Sequence, residues 1–184
     1  MSLDKVTVCE GAGHIMTNGG MEEKVADLLR GAGQTIAVAE SCTGGLICHR
    51  LTNVSGSSEY LEMGVVAYSN RVKTSLLGVP EAVIADHGAV SEACVRAMAS
   101  GVRRLAGTHI GLAVSGIAGP TGGTPEKPVG TVYVGLAGEK AETGRHFSFS
   151  GSRLQVKEQS ATEALRMISR YFEGEGPSSS RDSY

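Results

Sequence analysis

Thr35-Ile36-Ala37-Val38-Ala39 is a short apolar run that breaks into the polar, glycine-rich stretch Glu40-Ser41-Cys42-Thr43-Gly44-Gly45. After it, Leu46, Ile47, Leu51 and Val54 recur at helical spacing. A buried strand, a tight turn and an amphipathic helix are what that order specifies. The pattern returns twice. Gly64-Val65-Val66-Ala67-Tyr68 reads as a strand that leads through the capping pair Ser69-Asn70 into a short helix carrying Val72, Leu76 and Leu77. His109 to Ser115 is a third strand, and it empties into the loop Gly116-Ile117-Ala118-Gly119-Pro120-Thr121-Gly122-Gly123. Strands alternating with helices predict a layered α/β fold, with ligands gathering at the carboxyl ends of the strands. Three such ends carry the informative residues Ser41, Tyr68 and Ser115.

The remaining segments complete that layering. Val25, Leu28, Leu29 and Ala32 predict a helix stopped by Gly31 and Gly33. Ser91 predicts the cap of a helix with Val95, Met98, Val102 and Leu105 on one face, and Asp86-His87-Gly88 reads as a loop between two helices. Thr131–Leu136 and Arg145–Phe149 predict a hairpin turned at 138–144, which makes the sheet mixed and mostly parallel, flanked by helices. A last helix places Ala161, Leu165, Ile168 and Phe172 on one face. The folded domain is expected over 21–172. Residues 1–20 are expected to be a linker or irregular segment, and the polar stretch 173–184 is expected to be disordered.

Bulk properties exclude several functions. A net charge of −2 and a pI near 6.2 supply no basic field for a nucleic-acid backbone, and 4% aromatics make no stacking platform. No apolar run has the ~20 residues of a membrane span, and Met1-Ser2-Leu3-Asp4-Lys5 lacks the apolar core of a signal peptide. Four cysteines without a C-x-x-C spacing fit reduced thiols, so a cytoplasmic location is expected and no metal site is indicated. The 26 glycines are about twice the average usage, and their clustering beside apolar runs suggests loops that hold a small molecule.

Ser41, between a strand and a helix, is a candidate nucleophile with helix N–H groups near it. The same position suits a plain helix cap. Its base can be a histidine, of which Asp86-His87 is in the best context, although no G-x-S-x-G elbow surrounds Ser41. Lys73 is the other candidate base: it follows Tyr68 by about 1.5 helical turns, and a desolvated lysine can accept a serine proton near neutral pH. Against that stands the ordinary reading of Lys73 as a solvated helix residue. Cys42 beside Ser41 is an alternative nucleophile or a packed thiol. Ser115 with Gly116 and Gly119 reads as a binding loop or a structural one, and so does Lys127-Pro128-Val129-Gly130-Thr131, whose cation and hydroxyl would suit a phosphate. Arg153, at the start of the last helix, is placed to hold an anion.

Ala39-Glu40-Ser41-Cys42-Thr43-Gly44-Gly45, Tyr68-Ser69-Asn70-x-x-Lys73, Gly88-Ala89-Val90-Ser91-Glu92, Ser115-Gly116-Ile117-Ala118-Gly119-Pro120 and Glu126-Lys127-Pro128-Val129-Gly130-Thr131-Val132 occur in order. Together they resemble the C-terminal domain of the CinA competence/damage-inducible family, over about 20–172. In that family the domain, alone or fused, is the PncC-type nicotinamide mononucleotide amidase. The resemblance implies hydrolysis of the carboxamide of nicotinamide mononucleotide to nicotinic acid mononucleotide and ammonia, without metal or cofactor. It implies Ser41 as nucleophile, Lys73 as general base, Tyr68 as a proton-transfer or orienting group, and Ser115 as the end of the proton network. Thr43, Gly44, Gly45, Gly116, Gly119, Lys127, Thr131 and Arg153 would contact the nucleotide substrate, and Arg153 would hold it near its phosphate. Similar domains pair, so a homodimer is an expectation. Residues 10–20 resemble the linker of two-domain CinA proteins, which leaves two organisations open: a domain of a longer chain with a fused N-terminal CinA domain, or a stand-alone amidase. The competing function is a non-catalytic nucleotide-binding module that regulates a partner.

Overall fold

The computed structural model describes residues 19–139 and 141–174, so the expectations for residues 1–18 and 175–184 fall outside the described residues. Six helices, five strands and one 3-10 turn follow in the order α1 (Gly19–Gly31), β1 (Ile36–Glu40), α2 (Leu46–Thr52), the 3-10 turn (Ser57–Glu59), β2 (Leu61–Val66), α3 (Asn70–Ser75), α4 (Glu81–His87), α5 (Glu92–Ala106), β3 (Ile110–Gly116), β4 (Thr131–Ala137), β5 (Glu142–Ser148) and α6 (Arg153–Glu173). The sheet order is β2-β1-β3-β4-β5. β1 runs parallel to both β2 and β3, while β4 and β5 are added antiparallel. The expected mixed α/β layering is the one observed, with the parallel part confined to β2-β1-β3.

Side chains alternate across a strand, and β1 shows what that alternation builds. Ile36 and Val38 enter a core with Val25 and Leu29 of α1, Ile47 and Leu51 of α2, and Leu165 and Ile168 of α6. Ala37 and Ala39 face the opposite way, into a core with Met98, Ala99 and Val102 of α5 and with Leu77 and Val79. The second face is made of small residues in rows that cross the sheet: Ala37–Gly111–Ala137 and Ala39–Ala113–Gly135. The rows let α5 lie against the strands. A Cβ on Gly111 would stand 2.1 Å from the Ala99 carbonyl oxygen, and one on Gly135 would stand 2.4 Å from that of Val95. Part of the glycine excess therefore serves helix-on-sheet contact, which composition alone assigned to ligand loops.

Several boundaries differ from the sequence reading. Gly19 and Gly20 belong to α1, and its buried face uses Ala26 in place of the exposed Ala32. β2 begins at Leu61 and ends at Val66, so Tyr68 lies beyond the strand. Asp86 and His87 close α4 and are not loop. Leu105 is largely exposed, outside the buried face of Val95, Met98, Ala99 and Val102. The hairpin turn is shorter than 138–144, since β5 already pairs at Glu142. Glu173 is the last residue of α6, and its carboxylate accepts from Lys24 of α1 at 2.6 Å.

α1, α2 and α6 are joined by one polar tie. Arg50 of α2 donates to Glu22 of α1 at 2.6 Å and to Thr162 of α6 at 2.8 Å, with both charged side chains little exposed. Arg50→Ala leaves the Glu22 carboxylate buried without its cation, so it is expected to destabilise the fold by about 3 kcal/mol. Urea denaturation checks this; a midpoint equal to that of the unmodified protein would remove Arg50 from the stability account.

Candidate active site

The register of the parallel strands brings three chain exits together. Glu40 of β1 pairs with Val66 of β2 on one side and Val114 of β3 on the other. The chain therefore leaves β1 at Ser41 and β2 at Ala67 side by side, next to Ser115, which β3 still carries. The Ser41 N–H donates to the Val114 carbonyl at 3.1 Å, which extends the ladder by one residue and fixes the serine backbone to the sheet.

Ser41 is buried, and it does not cap the helix that follows. Residues 41–45 form a turn, α2 starts at Leu46, and Gly45 is its cap. The turn closes through Gly44 and Gly45, both left-handed at φ 63° and 99°, a conformation that side chains with a Cβ adopt at a cost. Glu40 holds the turn from beneath. Its carboxylate, fully buried, accepts from the N–H groups of Gly45 at 2.9 Å, Ile47 at 3.2 Å and Cys48 at 2.9 Å. The first free donors of α2 are thus already paired. The N–H groups of Cys42 and Thr43, next in the turn after Ser41, bond no oxygen among the described residues and lie near the Cys42 sulfur.

Lys73 comes to Ser41 from α3. Ser69 caps that helix by accepting from the Val72 N–H at 3.3 Å, as its position predicted. The Lys73 side chain, 1% exposed, turns under the chain: Nζ donates to Ser41 Oγ at 3.1 Å and to the Ala67 carbonyl at 2.8 Å. Burial lowers its pKa from the ordinary 10.5, and among the described residues no carboxylate forms an ion pair with it to oppose that shift. When Nζ has lost its proton, the same contact lets it accept the serine hydroxyl. The reading of Lys73 as a solvated helix residue is set aside by this burial. Cys42 is pushed up to about 11, chiefly by burial, so it stays a thiol at neutral pH and is a poor nucleophile. Of the histidines in the described residues none bonds Ser41: His109 contacts Thr35, His146 stacks on Tyr133, and His87 ends α4.

The other expected site residues divide into two groups. Tyr68 is 62% exposed, and its hydroxyl accepts from Arg153 Nη2 at 3.1 Å, while Arg153 Nη1 donates to the Gly119 carbonyl at 2.6 Å. Tyr68, Arg153 and Gly119 therefore meet at the rim above α6, whereas Lys73 points inward. Tyr68 and Lys73 do not line the same interior: Tyr68 precedes α3 and is exposed, whereas the side chain of Lys73, within α3, is buried. The donors at the start of α6 are partly taken by its capping box, Ser152 with Gln155.

Ser115 and Lys127 serve the turn between α4 and α5. Ser115, buried, donates to the Ala89 carbonyl at 2.8 Å, and Lys127 Nζ donates to the carbonyls of His87 and Val90, both at 2.8 Å. Among the described residues Ser115 makes no side-chain hydrogen bond to Ser41 or Lys73. The Lys127 ammonium straps two loops together and does not stand open to an anion. Gly116 and Gly119 are needed by the protein itself: a Cβ would come 2.7 Å from Val132 Cγ2 at the first and 2.5 Å from Val129 Cγ1 at the second. Thr131 starts β4, where its carbonyl accepts from the Ile117 N–H at 2.9 Å. Thr43 is fully buried, and its Oγ1 has no partner among the described residues.

Two residues near the turn escaped the sequence reading. Glu40 had a signal, because it is the only charged residue closing the apolar run of β1 and a buried charge requires partners. Lys157 of α6 had none. Its Nζ lies 3.9 Å from where a Cβ on Gly44 would stand, a proximity set by helix packing.

Comparison with known proteins agrees with this arrangement of fold and motifs. Residues 18–172 match the model of the CinA C-terminal domain. The chain is 56% identical over 153 residues to a CinA-like protein of Syntrophus aciditrophicus, covering 83% of this chain and 36% of that protein. It is 48% identical over 168 residues to a CinA-like protein of Geobacter sulfurreducens, covering 91% and 39%. The chain thus spans little more than a third of the length of these curated relatives. Among solved structures, a competence-damaged protein (CinA) superfamily protein of Klebsiella pneumoniae superposes with a TM-score of 0.81 at 33% identity, covering 84% of this chain and 96% of that one. The competence/damage-inducible protein CihA of Agrobacterium tumefaciens gives 0.77 at 33% identity, covering 80% and 93%. The chain belongs to the CinA C-terminal domain family.

Proposed function

We propose that this domain hydrolyses the carboxamide of nicotinamide mononucleotide to nicotinic acid mononucleotide and ammonia through a serine–lysine mechanism. The observation that carries the reading is the dry 3.1 Å contact between Lys73 Nζ and Ser41 Oγ. Family membership supports the substrate class.

The chemistry follows from the groups present. Deprotonated Lys73 accepts the hydroxyl proton as Ser41 Oγ bonds to the carboxamide carbon, and the carbonyl electron pair moves onto oxygen. The N–H groups of Cys42 and Thr43 are the donors for that oxyanion. Collapse breaks the C–N bond, and the proton held on Lys73 passes to the departing nitrogen, which leaves as ammonia. Water then gives a proton to Lys73 and adds to the ester carbon; the C–Oγ bond breaks and Ser41 takes the proton back. Tyr68 and Arg153 at the rim are positioned to contact the part of the nucleotide remote from the amide.

Ammonia release from nicotinamide mononucleotide by the purified protein tests the reading, with nicotinic acid mononucleotide as the stoichiometric co-product. Turnover is the expected result. Nucleotide binding without ammonia release would sink the amidase and leave a binding module.

A further inference from the structure

Glu40, the last residue of β1, and Ser41, the first of the turn that follows, are adjacent polar residues whose side chains lie on opposite faces of the sheet. Glu40 continues the side of Ile36 and Val38, toward α2, and Ser41 continues the side of Ala37 and Ala39, toward Lys73. Glu40 is 0% exposed, and no cation forms an ion pair with it among the described residues. Its backbone partners are three N–H groups: Oε2 accepts from Gly45 and Ile47, and Oε1 accepts from Cys48, whose thiol also hydrogen-bonds to the carboxylate. Its own backbone carbonyl accepts from the Ala67 N–H at 2.8 Å, next to the Ala67 carbonyl that Lys73 Nζ holds. One residue is therefore bonded to the turn that carries the nucleophile and to the segment that carries the base.

We infer that Glu40 is a positioning residue for Ser41: its buried carboxylate clamps the 41–45 turn so that Ser41 Oγ meets Lys73 Nζ and the Cys42 and Thr43 N–H groups face the reacting carbonyl. The physical requirement is an acceptor-only group. Three converging N–H donors need two oxygens with lone pairs and no hydrogens. An amide in the same place presents NH2 to at least one of them, so a donor meets a donor inside the protein. The two left-handed glycines make the turn easy to form and equally easy to deform, so its geometry depends on this clamp. A displacement of about 1 Å at a reacting group can lower a rate roughly 100-fold while substrate contacts at the rim persist.

Glu40→Gln is the test, in the full chain. For the turnover arm, which rests on the amidase reading, kcat is expected to fall about 100-fold with KM within about threefold. A variant that was simply less folded would lose active protein in proportion to its unfolded fraction, visible by circular dichroism. The second arm is independent of any substrate: the rate at which a fluorophosphonate labels Ser41, followed by intact mass, is expected to fall by a comparable factor. The third arm is amide hydrogen exchange at Gly45, Ile47 and Cys48, expected to quicken at least tenfold while exchange in α5 is unchanged. If Glu40→Gln does not fold, Glu40→Asp, which keeps the charge but is one methylene short, is expected to show the same three effects in smaller measure. A folded variant whose labelling and exchange stay within threefold of the unmodified protein overturns the assignment. If the unmodified protein releases no ammonia, the amidase reading fails while labelling and exchange still decide Glu40; where Ser41 resists the probe, exchange alone decides it.

Discussion

Ser41→Ala is expected to lower ammonia release from nicotinamide mononucleotide roughly 10,000-fold or more, because no covalent intermediate can form without Oγ. Among the described residues its one side-chain hydrogen bond is with Lys73 Nζ, which keeps the Ala67 carbonyl, so the fold should persist with little change in Tm. Substrate affinity should persist too, since the rim residues Tyr68 and Arg153 are untouched. The neighbouring thiol cannot stand in: burial pushes Cys42 up to about 11, which leaves it protonated at pH 7. Ammonia assay, nucleotide titration and intact mass on the same preparation separate these points. Full activity in Ser41→Ala would show that the hydrolysis starts from another group, and Cys42→Ala would then be the next variant to measure.

Lys73→Met is expected to lower kcat about 1,000-fold, within the range of a lost general base. On the proposed amidase reading, the unmodified protein should show a rate that climbs with pH as Lys73 loses its proton and levels off below the lysine's ordinary 10.5, because desolvation favours the neutral amine. The residual rate of the variant should lack that limb. A rate profile of the unmodified enzyme that is flat from about pH 6 to 9 would count against Lys73 as the base. Stability carries the same signature with a definite sign. The unfolded chain keeps this lysine protonated up to about 10.4, whereas the folded chain releases the proton earlier. Between those two values the unfolded state binds more protons, so the unmodified protein gains stability with rising pH relative to Lys73→Met. Urea midpoints of both proteins across that window measure it. Parallel curves would mean that Lys73 titrates normally in the fold.

The sequence carried the local grammar of the molecule further than its packing. Ser69 and Ser91 were readable as caps because a serine hydroxyl before a helix has one good acceptor role, and each accepts the expected N–H. α4 was missed because Pro80 and the short span 81–87 look like connection, and the helix is held by α5. A lysine beside glycine and threonine suits an anion and a structural loop alike, and local sequence does not separate the two; the structure gives the Lys127 ammonium two carbonyls from a segment some forty residues away. Tyr68 was placed on a strand by its apolar neighbours, yet β2 ends before it and leaves the ring at the rim. The glycines divide in the same way. Gly44 and Gly45 serve a turn that local sequence announces, whereas Gly111 and Gly135 serve the approach of α5, which no local pattern reveals.

By itself the sequence determined the strand–turn–helix order and the family motifs. Those are properties of neighbouring residues and of periods of two and 3.6. Only the tertiary structure decided that Lys73, 32 residues from Ser41, would lie within hydrogen-bond reach of it, dry and without an ion-pair partner among the described residues. The reason is register: β2 pairs in parallel with β1 so that Val66 stands beside Glu40, and the chain leaving β2 must pass over the exit of β1. Desolvation of Lys73, the property its chemistry depends on, comes from the layers that close over that exit and is a property of no residue alone.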